Sequence, residues 1–430
     1  MRAERSIALV GLVGLLGLAG CGTNGYTGLG LESSGGTDAG LAYSRHGVAA
    51  ILVKAIGPLS ESSQLADLGA QEVGLDPALT AMGWRRLAVP SGSVGKALAE
   101  VYGDPNVVAA EPDRELDAPQ LPPAPVLLTS GTVLGSSPLP APNSLQYAPQ
   151  ITRAEEAWSI STGQGQVIAV VDSGIDPGHP DFAGRIAPGW NTIQNTDNDR
   201  DDYGHGTHCA GIAAAYASGP EGVMGIAPGA TLLPVKVLRA DGSGSDSSVA
   251  SGITWAAEHG ATVISLSLGG PADAKVLDDA VAYALSRGCS VVAAMGNAGD
   301  HVKSFPAAVP GVIAVGATDR KDRIASFSQY GSWNSVSAPG VGIYSTFPTY
   351  HVTLNNEGFS ENYASLDGTS MATPAVAGAV ADIRAARPRL LPSQIKAILQ
   401  DSADKVAGRT AFDSHYGYGR IDVLAALRAQ

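Results

Sequence analysis

Cysteine is scarce in this chain of 430 residues: three occur, at positions 21, 209 and 289. Three thiols cannot build the disulfide framework of a small secreted scaffold, and their spacing fits no metal motif. Positive charge is also in short supply. Lys and Arg number 27 against 40 Asp and Glu, a formal net charge of −13. Binding a polyphosphate by counterion release needs clustered cations, so nucleic acid is not an expected partner. Long apolar runs are missing as well, since the N-terminal run Ile7 to Ala19 falls short of the roughly 20 residues that a spanning helix needs. What is plentiful is Gly, 54 residues without a triplet period, in a chain that is 44% hydrophobic. Collagen-like and disordered chains are thereby set aside in favour of a globular protein with an acidic surface.

Two Arg in MRAER precede the apolar run, so residues 1–20 read as a signal peptide. The run ends at Leu18-Ala-Gly-Cys21, which is similar to the bacterial lipobox. In that pattern Cys21 is the lipidation site and the membrane becomes a partner through its acyl chains. An ordinary cleaved signal with an incidental cysteine is the alternative, and both imply export. Residues 21–42, rich in Gly, Ser and Thr, form a flexible tether. A disulfide between Cys209 and Cys289 cannot be deduced from sequence, and two buried thiols are expected.

Residues 43–116 alternate apolar strands (VAAILVKAI, WRRLAVP, NVVAAEPD) with helical stretches (SSQLADLGA, VGKALAEVYG), predicting a small α+β unit of ferredoxin-like type. Residues 117–142 are dense in Pro, Ser and Gly. That composition cannot pack a core, and it predicts an exposed linker holding a processing site. From 143 to 430 the pattern is α/β. VIAVVD, TLLPVKVL, TVISLSLG, CSVVAAMGN and GVIAVGA are nearly continuous apolar runs, as strands buried on both faces must be. Helices are expected at Thr207 to Ala217, Ser247 to Glu258, Ala274 to Arg287, Ser370 to Ala386 and Pro392 to Asp401. The predicted architecture is a three-layer parallel sheet with helices on both faces and a site at the strands' carboxyl ends.

Four segments at such junctions carry chemistry. VVDSGID ends a buried strand on Asp172, where a carboxylate needs hydrogen bonds or a cation. GHGTHCAG opens a helix on His205, and GTSMATP places Ser370 at a helix N-terminus, where free N–H groups favour negative charge. Together they can make a nucleophile: Ser370 attacks, His205 moves its proton, and Asp172 holds the imidazole tautomer. AMGNAG adds Asn297 as an oxyanion donor beside the Ser370 N–H. Taken singly, each has a structural explanation, a capping carboxylate or a hydrogen-bonding His; His208 is expected to be the latter. Cys209, four residues after His205, is expected beneath it as a small core residue.

The order Asp, His, Ser in these motifs resembles the subtilisin-like serine proteases, and HCAGIAAA, ISLSLGG, FSQYGSW and QYAPQI are similar to the thermitase-like branch of that family. The resemblance covers roughly residues 143–425. It implies a serine endopeptidase with Asp172, His205, Ser370 and Asn297 as catalytic groups. It also implies a cleft between Gly242, Ser243, Gly244 and Ser245 on one side and Ser267, Leu268, Gly269 and Gly270 on the other, binding a peptide substrate as an added strand. The primary pocket would have walls including Ala294 and Gly296 and Ser304 near its base. None of these is charged, so cleavage after apolar or medium-sized residues is expected. The same resemblance makes residues 43–116 a propeptide, a second partner that assists folding and inhibits until removed; a permanent accessory domain is the alternative.

Calcium is a further expectation. Asp197, Asp199, Asp201 and Asp202 crowd one loop, which suits a hard cation or simply a solvated acidic surface. The family holds structural Ca2+ here and at a site to which Asp181 corresponds, although Asn191, Gln194, Thr196, Gly219 and Pro220 depart from its ligand pattern. Competing functions are a transpeptidase or cyclase on the same fold and an inactive peptide-binding envelope lipoprotein.

Overall fold

The computed structural model describes residues 48–59, 63–118, 139–408 and 411–429. The signal, lipobox and tether, and most of the linker, lie outside them.

In the larger unit, seven parallel strands run in the order Val336–Pro339, Ile313–Thr318, Ser290–Ala294, Val263–Leu266, Val167–Asp172, Thr231–Lys236, Trp190–Asn191. The five apolar runs of the sequence supply the five central strands. Each is buried on both faces because helices cover both. The helix Thr369–Ala386 is buried from its first residue to Ile383 and packs across four of these strands, which its Ala- and Gly-rich sequence permits. Sheet order reverses between Val167–Asp172 and Val263–Leu266, the position where open α/β sheets form their crevice. Asp172 closes the first of these strands and Ser267 follows the second.

Residues 48–112 form a four-stranded antiparallel sheet ordered Gln71–Val73, Trp84–Pro90, Val48–Ala55, Val107–Pro112, a split βαβ arrangement. The period of two decides its two faces. Ile51, Val53, Leu87 and Val89 pack with Val94 and Ala97 of the helix Val94–Tyr102 into a core of their own. Leu52 and Trp84 point the other way and join the main core. At this junction the Trp84 indole donates to Asp279 at 3.1 Å, and Lys54 Nζ lies 2.5 Å from the same carboxylate.

Beyond this sheet the described chain continues as one more strand, which takes in the first residue of the expected linker. Glu115–Asp117 is a strand paired antiparallel with Ser243–Ser245, and the carbonyl of Asp117 accepts from Gly269 N at 3.1 Å. The segment 115–118 is therefore an extra strand laid between the two edges that the resemblance led us to expect as a cleft.

Candidate active site

Asp172 and His205 are fully buried, and Ser370 is 2% exposed. His205 Nδ1 lies 2.8 and 3.0 Å from the two Asp172 oxygens, and Ser173 N donates to Oδ1 at 2.7 Å. Burial alone would push the His205 pKa down; the facing Asp172 carboxylate reverses this and raises it well above the ordinary imidazole value. Gly206 lets the helix His205–Ala214 start this close to the Asp172 strand, since a Cβ there would meet the Gly174 carbonyl oxygen at 2.1 Å. The loop before the helix is organised by Asp201, one of the four crowded acids. Its buried carboxylate accepts from Ser173 Oγ, the N–H groups of Tyr203, Gly204 and Thr207, and Thr207 Oγ1, all within 2.7–3.0 Å. Lys236, also buried, donates to the carbonyls of Ser173 and Leu238 and pairs with Asp202 at 2.5 Å.

Ser370 is the second residue of its helix. Its hydroxyl donates to the Ser267 carbonyl at 3.2 Å, and its own carbonyl accepts from Ser267 Oγ at 2.7 Å and Cys209 Sγ at 3.5 Å. Pro374 explains the free carbonyl. Four residues on, it has no N–H to complete the helical bond, so the Ser370 C=O turns to side chains instead. Asn297 Oδ1 accepts from Thr369 N at 2.9 Å and Thr369 Oγ1 at 2.8 Å, which fixes the amide with its nitrogen on the opposite side. A Cβ added at Gly368 would lie 3.3 Å from Asn297 Nδ2 and 3.4 Å from Ser370 N, so the two donors converge on one point.

The other expected residues lie against the strand 115–118 or beside it. Gly242 O accepts from Ala118 N at 3.1 Å, and Gly244 faces Leu116. The strands Val263–Leu266 and Ser290–Ala294 are neighbours, so Ser267–Gly270 and Ala294–Gly296 leave the sheet side by side. Ser304 is buried against Gly269, with its Oγ 2.5 Å from where a Cβ on that glycine would sit. Gln329, which the motifs did not single out, packs against the segment that ends at Gly296. Its amide fills the space beside Gly296, where a Cβ would meet Oε1 at 1.7 Å, and Nε2 donates to Val302 O at 2.6 Å. His208 Nε2 contacts the carbonyls of Ile343 and Ala364 at 3.0 and 3.1 Å, and burial, aided by His205, pushes its pKa down to about 3. Cys209 and Cys289 are buried free thiols, the former 3.9 Å from both His205 ring nitrogens.

This geometry has counterparts among known proteins. The model of the subtilase family matches residues 163–419, well over half of the chain. The chain belongs to the subtilase family. It is a serine endopeptidase of that family. Thermitase of Thermoactinomyces vulgaris is 46% identical over 286 residues, which are 66% of this subtilase and 97% of thermitase. Subtilisin Savinase of Lederbergia lenta is 43% identical over 267 residues, 62% of this chain and 92% of that one. Among solved structures, fervidolysin from Fervidobacterium pennivorans, described as a keratinolytic enzyme related to subtilisin, superposes with a TM-score of 0.75 at 27% identity. The alignment covers 89% of this subtilase, which spans only 61% of the fervidolysin chain.

The acids expected to hold calcium are not gathered. Asp181 accepts from Ser218 N and Val223 N at 2.8 Å and from Tyr363 OH at 3.2 Å, closing a loop with the oxygens a cation would need. Asp202 pairs with Lys236, Asp199 is half-buried beside Gly189 N, and Asp197 is exposed. Among the described residues, three or more His, Cys, Asp or Glu side chains come within ligand spacing of one another only at Asp172, His205 and Cys209, where the carboxylate and imidazole already hold each other. These side chains do not form a calcium cage.

Proposed function

We propose that this subtilase cleaves peptide bonds through an acyl-enzyme on Ser370. The observation that carries the reading is the strand 115–118, a length of peptide seated between Ser243–Ser245 and Gly269 and directed at the Ser370 helix. A substrate occupying the same gap offers an N–H to the Ser267 carbonyl and displaces the Ser370 hydroxyl from it. The freed hydroxyl turns to His205 Nε2, which takes its proton as Oγ bonds to the scissile carbon. Asp172 stabilises the imidazolium, and Asn297 Nδ2 and Ser370 N receive the oxyanion. The proton then passes to the departing amine, and water hydrolyses the ester by the same steps. Uncharged walls at Ser267–Gly270, Ala294, Gly296 and Ser304 favour an apolar or medium-sized residue before the cut bond.

In this reading residues 43–116 are an inhibitory propeptide, because the strand that closes this unit, Glu115–Asp117, occupies the gap that substrate needs. Processing falls between Asp117 and Pro142. The protein is exported and, if Cys21 is acylated, tethered to the envelope. No described helix is long and apolar enough to cross a membrane. No observation favours the transpeptidase or the inactive binder. A fluorophosphonate probe decides the matter: labelling of the wild type that disappears in Ser370→Ala supports hydrolysis, and a correctly processed wild type that stays unlabelled refutes it.

A further inference from the structure

We propose that Asp246 forms an outer subsite that selects substrates carrying arginine six residues before the cut bond. The inference rests on the hydrolase reading above and deepens it. Asp246 is the first residue of the helix Asp246–Glu258, directly after the groove strand Ser243–Ser245. It is 1% exposed, and its Oδ1 has no partner within the described residues. An acid so placed is costly to bury unless something completes it.

The seated strand shows what does. Asp246 N donates to the Arg114 carbonyl at 2.9 Å, and Arg114 N donates to Asp246 Oδ2 at 3.3 Å, continuing the ladder by one residue. The Arg114 guanidinium then lies 3.7 Å from Oδ2 and donates to the Asp273 carbonyl at 3.2 Å. A carboxylate and a backbone carbonyl facing one side chain suit the fork of a guanidinium better than the single point of an ammonium. In this state burial, and next the Asp113 carboxylate, push the Asp246 pKa up to about 8. Asp113 accepts from Ser247 N and Oγ at 2.9 and 2.7 Å, and Arg86 pairs with it at 2.7 Å. Glu111, on the strand Val107–Pro112, accepts from Lys275 N and Val276 N at the start of the helix Lys275–Ser286. These neighbours come from the propeptide-like unit. A substrate in the groove brings neither acid, and its own arginine becomes the partner of Asp246.

The register gives the position. A peptide residue facing Asp246 is followed by residues facing Ser245, Gly244, the Ser243 and Gly269 pair, and Gly242. The fifth after it faces Ser267, whose carbonyl touches the Ser370 hydroxyl. The cut follows that residue.

Fluorogenic peptides identical except at this sixth upstream position, carrying Arg, Lys, Gln or Glu, test the assignment on the enzyme expressed as the whole chain and allowed to process itself. The expected order of kcat/KM is Arg, Lys, Gln, Glu, with Arg over Gln by about tenfold. In Asp246→Asn the Arg-to-Gln ratio falls towards one. Both peptides are read on the same preparation, so a loss of folded enzyme leaves the ratio untouched. An Arg-to-Gln ratio near one in the wild type, or an unchanged ratio in Asp246→Asn, overturns the subsite while fluorophosphonate labelling leaves the hydrolase standing. If no peptide is cut and no label is taken up, the hydrolase reading falls and the subsite with it.

Discussion

At the scale of single residues, the site depends on fixing each group from behind. Thr369 holds the Asn297 amide by its oxygen, so the nitrogen is directed without any substrate present. Preorganised donors of this kind act on charge that develops only in the transition state. Asn297→Ala is expected to lower kcat by about 10² to 10³, the loss established for one such donor in a subtilisin, with little change in KM. A comparable rise in KM with kcat unchanged instead would mean that the side chain binds the ground state. His205 gives a pH prediction. Its pKa is raised, so the neutral imidazole that accepts the serine proton is present only above a value higher than the usual 6.5. Activity should therefore fall as pH drops through an apparent pKa above 6.5, read from kcat/KM profiles. Asp172→Asn removes the charge that raises it, and the remaining activity should lose that acid limb to lower pH, with kcat down about 10⁴.

Elements carry the next set of arguments. The helix Thr369–Ala386 presents Ser370 at one end and buries Asp382 near the other, with neither carboxylate oxygen partnered among the described residues. Burial raises the Asp382 pKa well above the ordinary carboxylate value. A raised acid is neutral in the folded state, so stability is greatest below the unfolded pKa near 3.9 and declines as pH rises towards the folded value. Asp382→Asn keeps the shape without the charge. Its melting temperature should match the wild type near pH 4 and exceed it at pH 8 to 9; equal melting curves across that range would show that the acid has a partner. At this scale the sequence was legible where hydrophobic periodicity is strong. All five apolar runs became central strands, and the helix expected at Ser370 to Ala386 begins one residue earlier, at Thr369. Short elements escaped. Gln71–Val73, Trp190–Asn191 and the hairpin Ile343–Thr346 with Tyr363–Leu366 hold two to four residues per strand, too few to show a period. The role of Pro374 was equally hidden, because it concerns a carbonyl four residues away rather than any side chain.

For the molecule as a whole, the motifs singled out Asp172, His205, Asn297 and Ser370 because each lies at or just beyond a strand or helix end with its own local signature. What they could not show is how distant carboxylates are used. Asp201 looked like part of a cation loop and instead ties five donors around the His205 turn, while Asp181 clamps a loop 37 residues further on. Sequence density of acids says nothing of where backbone N–H groups will point. From these hydrogen bonds, EDTA is expected to leave the melting temperature of the processed enzyme unchanged in differential scanning calorimetry; a fall of several degrees, reversed by added Ca2+, would contradict it.

The seated strand fills a slot one chain wide, with hydrogen-bonding edges on both sides. Only an extended backbone fits such a slot, and folded proteins keep theirs in helices, turns and paired sheets. Whatever this enzyme digests must first fray over about six residues, so its rate on intact proteins will report how often the target opens locally rather than how many suitable side chains it displays.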